Sequence, residues 1–214
     1  MKNFSLILIL ICLVNYNSKA QDKTAFEKGT VVVTAGYGFP DFYRASLRSS
    51  YGIYNSNEVS GFGPIIVKGD YGIVKFKWRH TLGAGIILGF SSTKVQYTNY
   101  YVGGKGLSSG ADSYRTITIG GRGTYHFFTK EKMDCYVSLG AGFNINSARY
   151  SIVYPDGGDY LYGGYSKARI QTRSALYGSA TIGIRYYFTK NMGVYAEAGW
   201  DMSAPIQGGL AIKF

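Results

Sequence analysis

The chain has 214 residues, 46% of them apolar, but its mean hydropathy is only −0.05, and past its first twenty residues no apolar run approaches helix-spanning length. A helical membrane protein is therefore excluded, while a single domain of ordinary size is not. Thirty Gly and 21 Tyr against four Pro suit close-packed strands rather than helices, two Cys exclude a disulfide framework, and the formal net charge is +11.

In chain order, Lys2 and the apolar run Phe4 to Val14 precede small residues at Ser18 and Ala20. This is the layout of a cleaved secretory signal peptide over residues 1–20, too short for a spanning helix. Ile11 is bulky where a lipoprotein site at Cys12 would want a small residue. The expected mature domain is 21–214, with Cys135 as its single thiol and Lys2 and Lys19 gone from the charge.

A period-two template then predicts about eight strands. The first lies near Gly29–Tyr37 and is followed by a long polar loop to Gly63. The second, near Pro64–Val74, carries Lys68 and Asp70 on one face, and a basic turn at Lys75–His80 leads to the third, near Thr81–Ser92. A second long loop is expected through Gly103–Gly106 and Gly110–Asp112. The fourth strand runs near Tyr114–Phe128, with Ile117, Ile119, Tyr125 and Phe127 opposite Arg122. After a turn at Thr129–Lys132 the fifth, Asp134–Asn146, sets Val137, Leu139, Phe143 and Ile145 against Tyr136, Ser138, Asn144 and Asn146. A third long loop holds Pro155–Gly158 and Gly163–Gly164. The sixth strand alternates Leu176, Gly178, Ala180, Ile182, Ile184, Tyr186 and Phe188 against a face with Arg185. Beyond Lys190–Asn191, Val194, Ala196, Ala198 and Trp200 oppose Glu197 and Asp201. A modest loop, Met202–Gln207, precedes Gly208, Leu210, Ile212 and Phe214, with Lys213 opposite.

Connections that alternate long and short, strands with one apolar and one charged face, and aromatics near strand ends point to an all-β chain. The expected fold is a transmembrane antiparallel up-and-down β-barrel of about eight strands, with short periplasmic turns and long extracellular loops. A soluble lipocalin-like barrel shares the alternation with its faces reversed. The scarcity of charge on the strands argues against it, since a soluble exterior of this size needs more.

The segment Gln207–Phe214 looks like the carboxy-terminal signal that outer-membrane barrels present to the barrel assembly machinery, with Gln207, Gly209, Ile212 and Phe214 at its positions. The stretch Gly183–Asn191 together with Tyr195–Trp200 resembles the small bacterial outer-membrane β-barrel domain proteins, the OmpA/OmpX-like group. That resemblance implies an outer-membrane location and this fold, and no single activity.

Function is read from the two surfaces a barrel leaves. The charged parity places Lys68, Asp70, Arg122, His126, Arg185, Glu197, Asp201 and Lys213 in the lumen. An eight-stranded barrel is just wide enough for side chains to fill, so these charges are expected to pair and close it, Arg185 with Glu197 among them. A narrow passive ion or solute pore through that core is the alternative. A lipid-modifying outer-membrane enzyme is a further one, but His80 and His126 both fall at the periplasmic end, away from outer-leaflet lipid. No metal cluster, phosphate loop or dinucleotide motif appears, so no cofactor is expected. The outer loops carry Arg44, Arg48, Lys105, Arg149, Lys167 and Arg169 among Tyr43, Tyr51, Tyr54, Tyr160, Tyr162 and Tyr165. Such a surface suits an envelope structural or surface-interaction role, with membrane lipid and lipopolysaccharide phosphates as partners; nucleic acid is not expected for an exported barrel. No domain of the peptidoglycan-anchoring kind is read after Phe214.

Overall fold

The computed structural model describes residues 24–51, 57–76, 80–101, 107–153, 167–202 and 204–214. The signal-peptide reading of residues 1–20 lies outside them, as do Trp78, Lys105, Tyr54, Tyr160, Tyr162, Tyr165 and the expected Pro155–Gly158 and Gly163–Gly164 loops. Of Tyr51 and Lys167 only the backbone is described.

Eight strands form one closed antiparallel ring: β1 Val31–Phe39, β2 Asn57–Lys75, β3 Thr81–Tyr101, β4 Leu107–Thr129, β5 Met133–Val153, β6 Lys167–Tyr187, β7 Met192–Trp200 and β8 Ile206–Lys213. Each pairs with its sequence neighbours, and β8 closes on β1 from Val32↔Lys213 to Phe39↔Ile206. One end of the ring, here the turn end, carries the links 76–80, 130–132 and 188–191. The loop end carries 40–56, 102–106, 154–166 and 201–205.

The faces are reversed relative to a soluble barrel. On β5, Val137, Leu139, Phe143 and Ile145 point outward, Leu139 with 71% of its surface exposed, while Tyr136 and Ser138 are buried inside. The same holds for Ile86 and Leu88, Ile117 and Ile119, Ile182 and Ile184, Val194 and Leu210 outside, and for Lys68, Asp70, Arg122, Arg185 and Glu197 inside. Exposed Tyr71, Tyr125, Tyr186 and Phe188 ring the turn end, and Phe39, Phe62 and Trp200 mark the other limit of the apolar belt. Such an exterior is stable only in hydrocarbon, where a closed sheet leaves no backbone group unpaired. The fold is a transmembrane eight-stranded β-barrel.

Two expectations need correction. β2 to β6 run well past the predicted strand ends: Gly110–Asp112, expected in a loop, lies in β4, paired with Ile152, Ser151 and Tyr150 of β5. Beyond the apolar belt the outer face turns polar, as at exposed Lys94 and Gln96 on β3, so the hydrophobic alternation fades while the hydrogen-bond ladder continues. The first loop is also not all irregular. It holds a helix, α1, Phe42–Tyr51. Asp41 starts it as N-cap, its Oδ1 accepting from Arg44 N at 3.2 Å.

Candidate functional site

The lumen is built in layers. At the turn end, residues 24–30 fold under the barrel, tied by Ala25 N to Lys130 O at 2.7 Å. Phe26 is thereby pushed inside, where it is buried with Ala25, Val32, Tyr187 and Ala211. Its ring stacks on His126 at 3.7 Å between centroids and 10° between planes. Lys213 belongs to this layer, its ammonium 4.7 Å above the Tyr187 ring. Sequence reasoning missed the Phe26 plug, because one aromatic in a short polar stretch carries no periodic signal.

Above it lies a belt of charge. Arg185 bonds Asp134 through Nη1 at 3.2 Å and reaches Asp70 through Nη2. Arg122 meets Asp70 at 2.9 Å and Glu197 at 3.1 Å. Lys68 bonds Glu197, donates to Gln207 at 2.9 Å and pairs with Asp201 at 2.7 Å. Tyr136 donates to Glu197 at 2.7 Å, and the Arg185 guanidinium lies 4.2 Å over the same ring. Tyr177 donates to Asp201. Isolated, any of these charges would be very costly to bury; interleaved, each cation meets two carboxylates.

The expected Arg185–Glu197 pair is not formed. The β6–β7 register sets Glu197 opposite Gly183 and Arg185 opposite Tyr195. Arg185 instead bonds directly across the β5–β6 ladder to Asp134 and over the lumen to Asp70. Asp134 belongs to the same buried network, continuing the inward parity of Tyr136 and Ser138 by one step.

A second apolar layer caps the belt: Ile66, Ile87, Tyr177 and Met202. Met202 adopts φ 45°, unusual for a residue with a side chain, and this turns its thioether into the lumen. Beyond this layer opens a vestibule of about 700 Å³. Its polar wall includes Thr116, Thr118, Asn144, Asn146, Gln171 and Arg173, and Tyr43, Tyr114 and Tyr150 pack edge to face at 6.0 and 6.1 Å on its far side.

The remaining candidates have structural partners. Arg44 donates to Gly63 O at 2.9 Å and Arg48 to Val59 O at 3.2 Å, so both cover the free edge of β2. Arg149 lies on β5 and exposed Arg169 on β6. His126 Nδ1 lies 2.7 Å from Asp134 and its Nε2 3.0 Å from Thr124 Oγ1, a line of the acyl-transfer type. All three are buried behind Phe26, and the vestibule reaches none of them. His80 is exposed, 2.9 Å from the Tyr125 hydroxyl. In β8, Gln207 faces inward on Lys68, and a Cβ on Gly209 would come 2.5 Å from Gly36 Cα across the closing seam. Ile212 is half-buried, and Phe214 N donates to Val31 O at 2.9 Å.

The class defined by this ring and filled lumen is the eight-stranded transmembrane β-barrel. Among solved structures the chain is similar to Ail, the attachment invasion locus protein of Yersinia pestis, in complex with the heparin analogue sucrose octasulfate: 16% identity over 87% of this chain and 99% of that one, TM-score 0.39. A second Ail structure gives 14% identity over 87% and 99%, TM-score 0.36. The N-terminal β-barrel domain of Pseudomonas aeruginosa OprF gives 14% over 90% and 98%, TM-score 0.34. No family model matches the chain, and no curated protein sequence matches it. The fold assignment rests on the chain's own strand pairing.

Proposed function

We propose that the chain is an integral outer-membrane barrel whose lumen is closed, without enzymatic activity, serving the envelope as a structural and surface-interaction protein through its loop end. One observation carries the reading: the charge belt is fully paired and lies between two apolar layers, Phe26 with Tyr187 below and Ile66, Ile87, Tyr177 and Met202 above. A passive pore would need a continuous wet path, which this packing opposes. Residues 1–20 act as the export signal and Gln207, Gly209, Ile212 and Phe214 as the assembly signal read by the barrel assembly machinery. The turn end faces the periplasm, and the loop end meets lipid and lipopolysaccharide phosphates through Arg149 and Arg169.

Orientation is tested in whole cells of an expressing Gram-negative host, in a Cys135→Ala background. Gly157→Cys should react with a membrane-impermeant maleimide on intact cells, and Lys190→Cys only after permeabilisation. The reverse pattern contradicts the proposal.

A further inference from the structure

Among the described residues, the wall of the barrel is incomplete beyond the upper apolar layer. β7 ends at Trp200, β8 begins at Ile206 and β1 stops at Phe39. β6 pairs with β7 only from Ala180 to Tyr187, so towards the loop end its residues 167–179 keep β5 as their sole strand neighbour among the described residues. β2 to β6 continue as a curved sheet with a notch over β7, β8 and β1. Of the two edges so created, that of β2 is covered by Arg44 and Arg48 of α1.

The vestibule reaches this notch. Its lining takes in Thr118, Asn144 and Tyr177 on the inner face, but also Leu176, Gly178 and Trp200, which alternate onto the outer face. Leu176 is 84% exposed and Trp200 68%, and a Cβ on Gly178 would meet nothing within 4 Å. The lining thus includes the edge of β6 that β7 leaves unpaired and, at the end of β7, Trp200, so the cavity opens sideways between them at the rim of the apolar belt.

We propose that this notch is a lateral entrance to a binding site for an anionic single-chain amphiphile from the surrounding leaflet, its acidic head in the vestibule and its chain along Leu176 and Trp200. The head is selected by charge: of the residues facing into the vestibule Arg173 is the cation, and the lining holds neither aspartate nor glutamate. Gln171, with its amide oxygen towards Arg173, accepts from Nε at 3.0 Å and Nη2 at 2.8 Å, which holds the guanidinium and leaves Nη1 for a ligand. Asn144 and Asn146 accept from the hydroxyls of Thr118 and Thr116, so their amide nitrogens remain as donors. Fixed donors around one arginine are the groups that bind a phosphate or carboxylate. The tail is selected by the lip. A wholly polar ligand gains nothing from an entrance walled by Leu176, Phe42 and Trp200, whereas an acyl chain leaves the head there without quitting the hydrocarbon.

This inference rests on the membrane reading above and extends it to a ligand. Trp200 and Trp78 are the two tryptophans, so a Trp78→Phe chain in lipid nanodiscs reports from the lip alone. The probe is dodecyl phosphate brominated at the chain end, and the readout is quenching of Trp200 emission. Saturable quenching is expected, weakened about tenfold by Arg173→Glu and far weaker with the neutral dodecyl maltoside analogue. Arg173 is exposed, so folding of the variant is checked by its heat-modifiable mobility. Quenching that rises in proportion to probe content, unchanged by Arg173→Glu, is mere collision in the bilayer and overturns the site. Equal saturable quenching by the maltoside overturns the anionic head. Either failure leaves a closed barrel standing, whereas ion conduction would refute the closed barrel whatever the probe does.

Discussion

Glu197 meets Lys68, Arg122 and Tyr136 at once, and its hydrogen-bonded neighbour Thr181 lies 3.3 Å away. Removing it takes one of two carboxylate partners from each of two buried cations, leaving Lys68 with Asp201 and Arg122 with Asp70; losing one partner of a buried pair costs up to about 3–5 kcal/mol. Glu197→Ala should therefore lower the midpoint at which the compact, heat-modifiable form unfolds in urea, and an unchanged midpoint would contradict the paired belt. Partner choice is equally testable. A double-mutant cycle on Arg185 and Asp134, in direct contact, should give a coupling of about 1 kcal/mol or more, and the Arg185–Glu197 cycle a clearly smaller one. Which residues face inward was legible, since strict alternation puts Lys68, Asp70, Arg122, Arg185, Glu197 and Asp201 on one parity. Which of them meet was not. Asp70 on β2 reaches Arg185 on β6 across the lumen, and that contact depends on the stagger of the closed ring, which no single strand encodes.

The segments that seal the barrel differ in how visible they are. Phe26 is 1% exposed, and stacking on His126 makes it the lower stopper. Phe26→Ala should cost about 3–5 kcal/mol, the usual range for emptying a buried aromatic site, read again from the urea midpoint. Retention of the parent midpoint would show that residues 24–30 are not part of the folded core. At the seam, Gly209 lies against Ala35 and Gly36, so Gly209→Val has no room for its branch and should prevent the compact form, while Ile212→Ala should permit it. Neither the stopper nor α1 follows a strand's period, which is why an alternation template passes over both. The extended ends of β2 to β6 were invisible for a related reason: Thr93↔Tyr114 and Lys94↔Ser113 keep the ladder where no face is buried in lipid.

For the molecule as a whole, the architecture reads as a stack: stopper, charge belt, apolar layer, open vestibule. Its apolar exterior and charged interior follow from one alternation, which is why the barrel class could be read directly from the residues. The notch could not, since it arises from unequal strand lengths around the ring, nine residues in β7 against 21 in β6. The same stack separates two functions a barrel could have. Sealed below and capped above, the belt stabilises the ring, and the vestibule opens on the side of the loop end. Planar-bilayer recording on the refolded full ring, its folding first confirmed by the shift between heated and unheated samples, tests that central claim most directly. A bilayer that stays silent under applied voltage is the predicted result; reproducible unitary openings would contradict the closed lumen and make Lys68, Arg122 and Glu197 the walls of a conduction path.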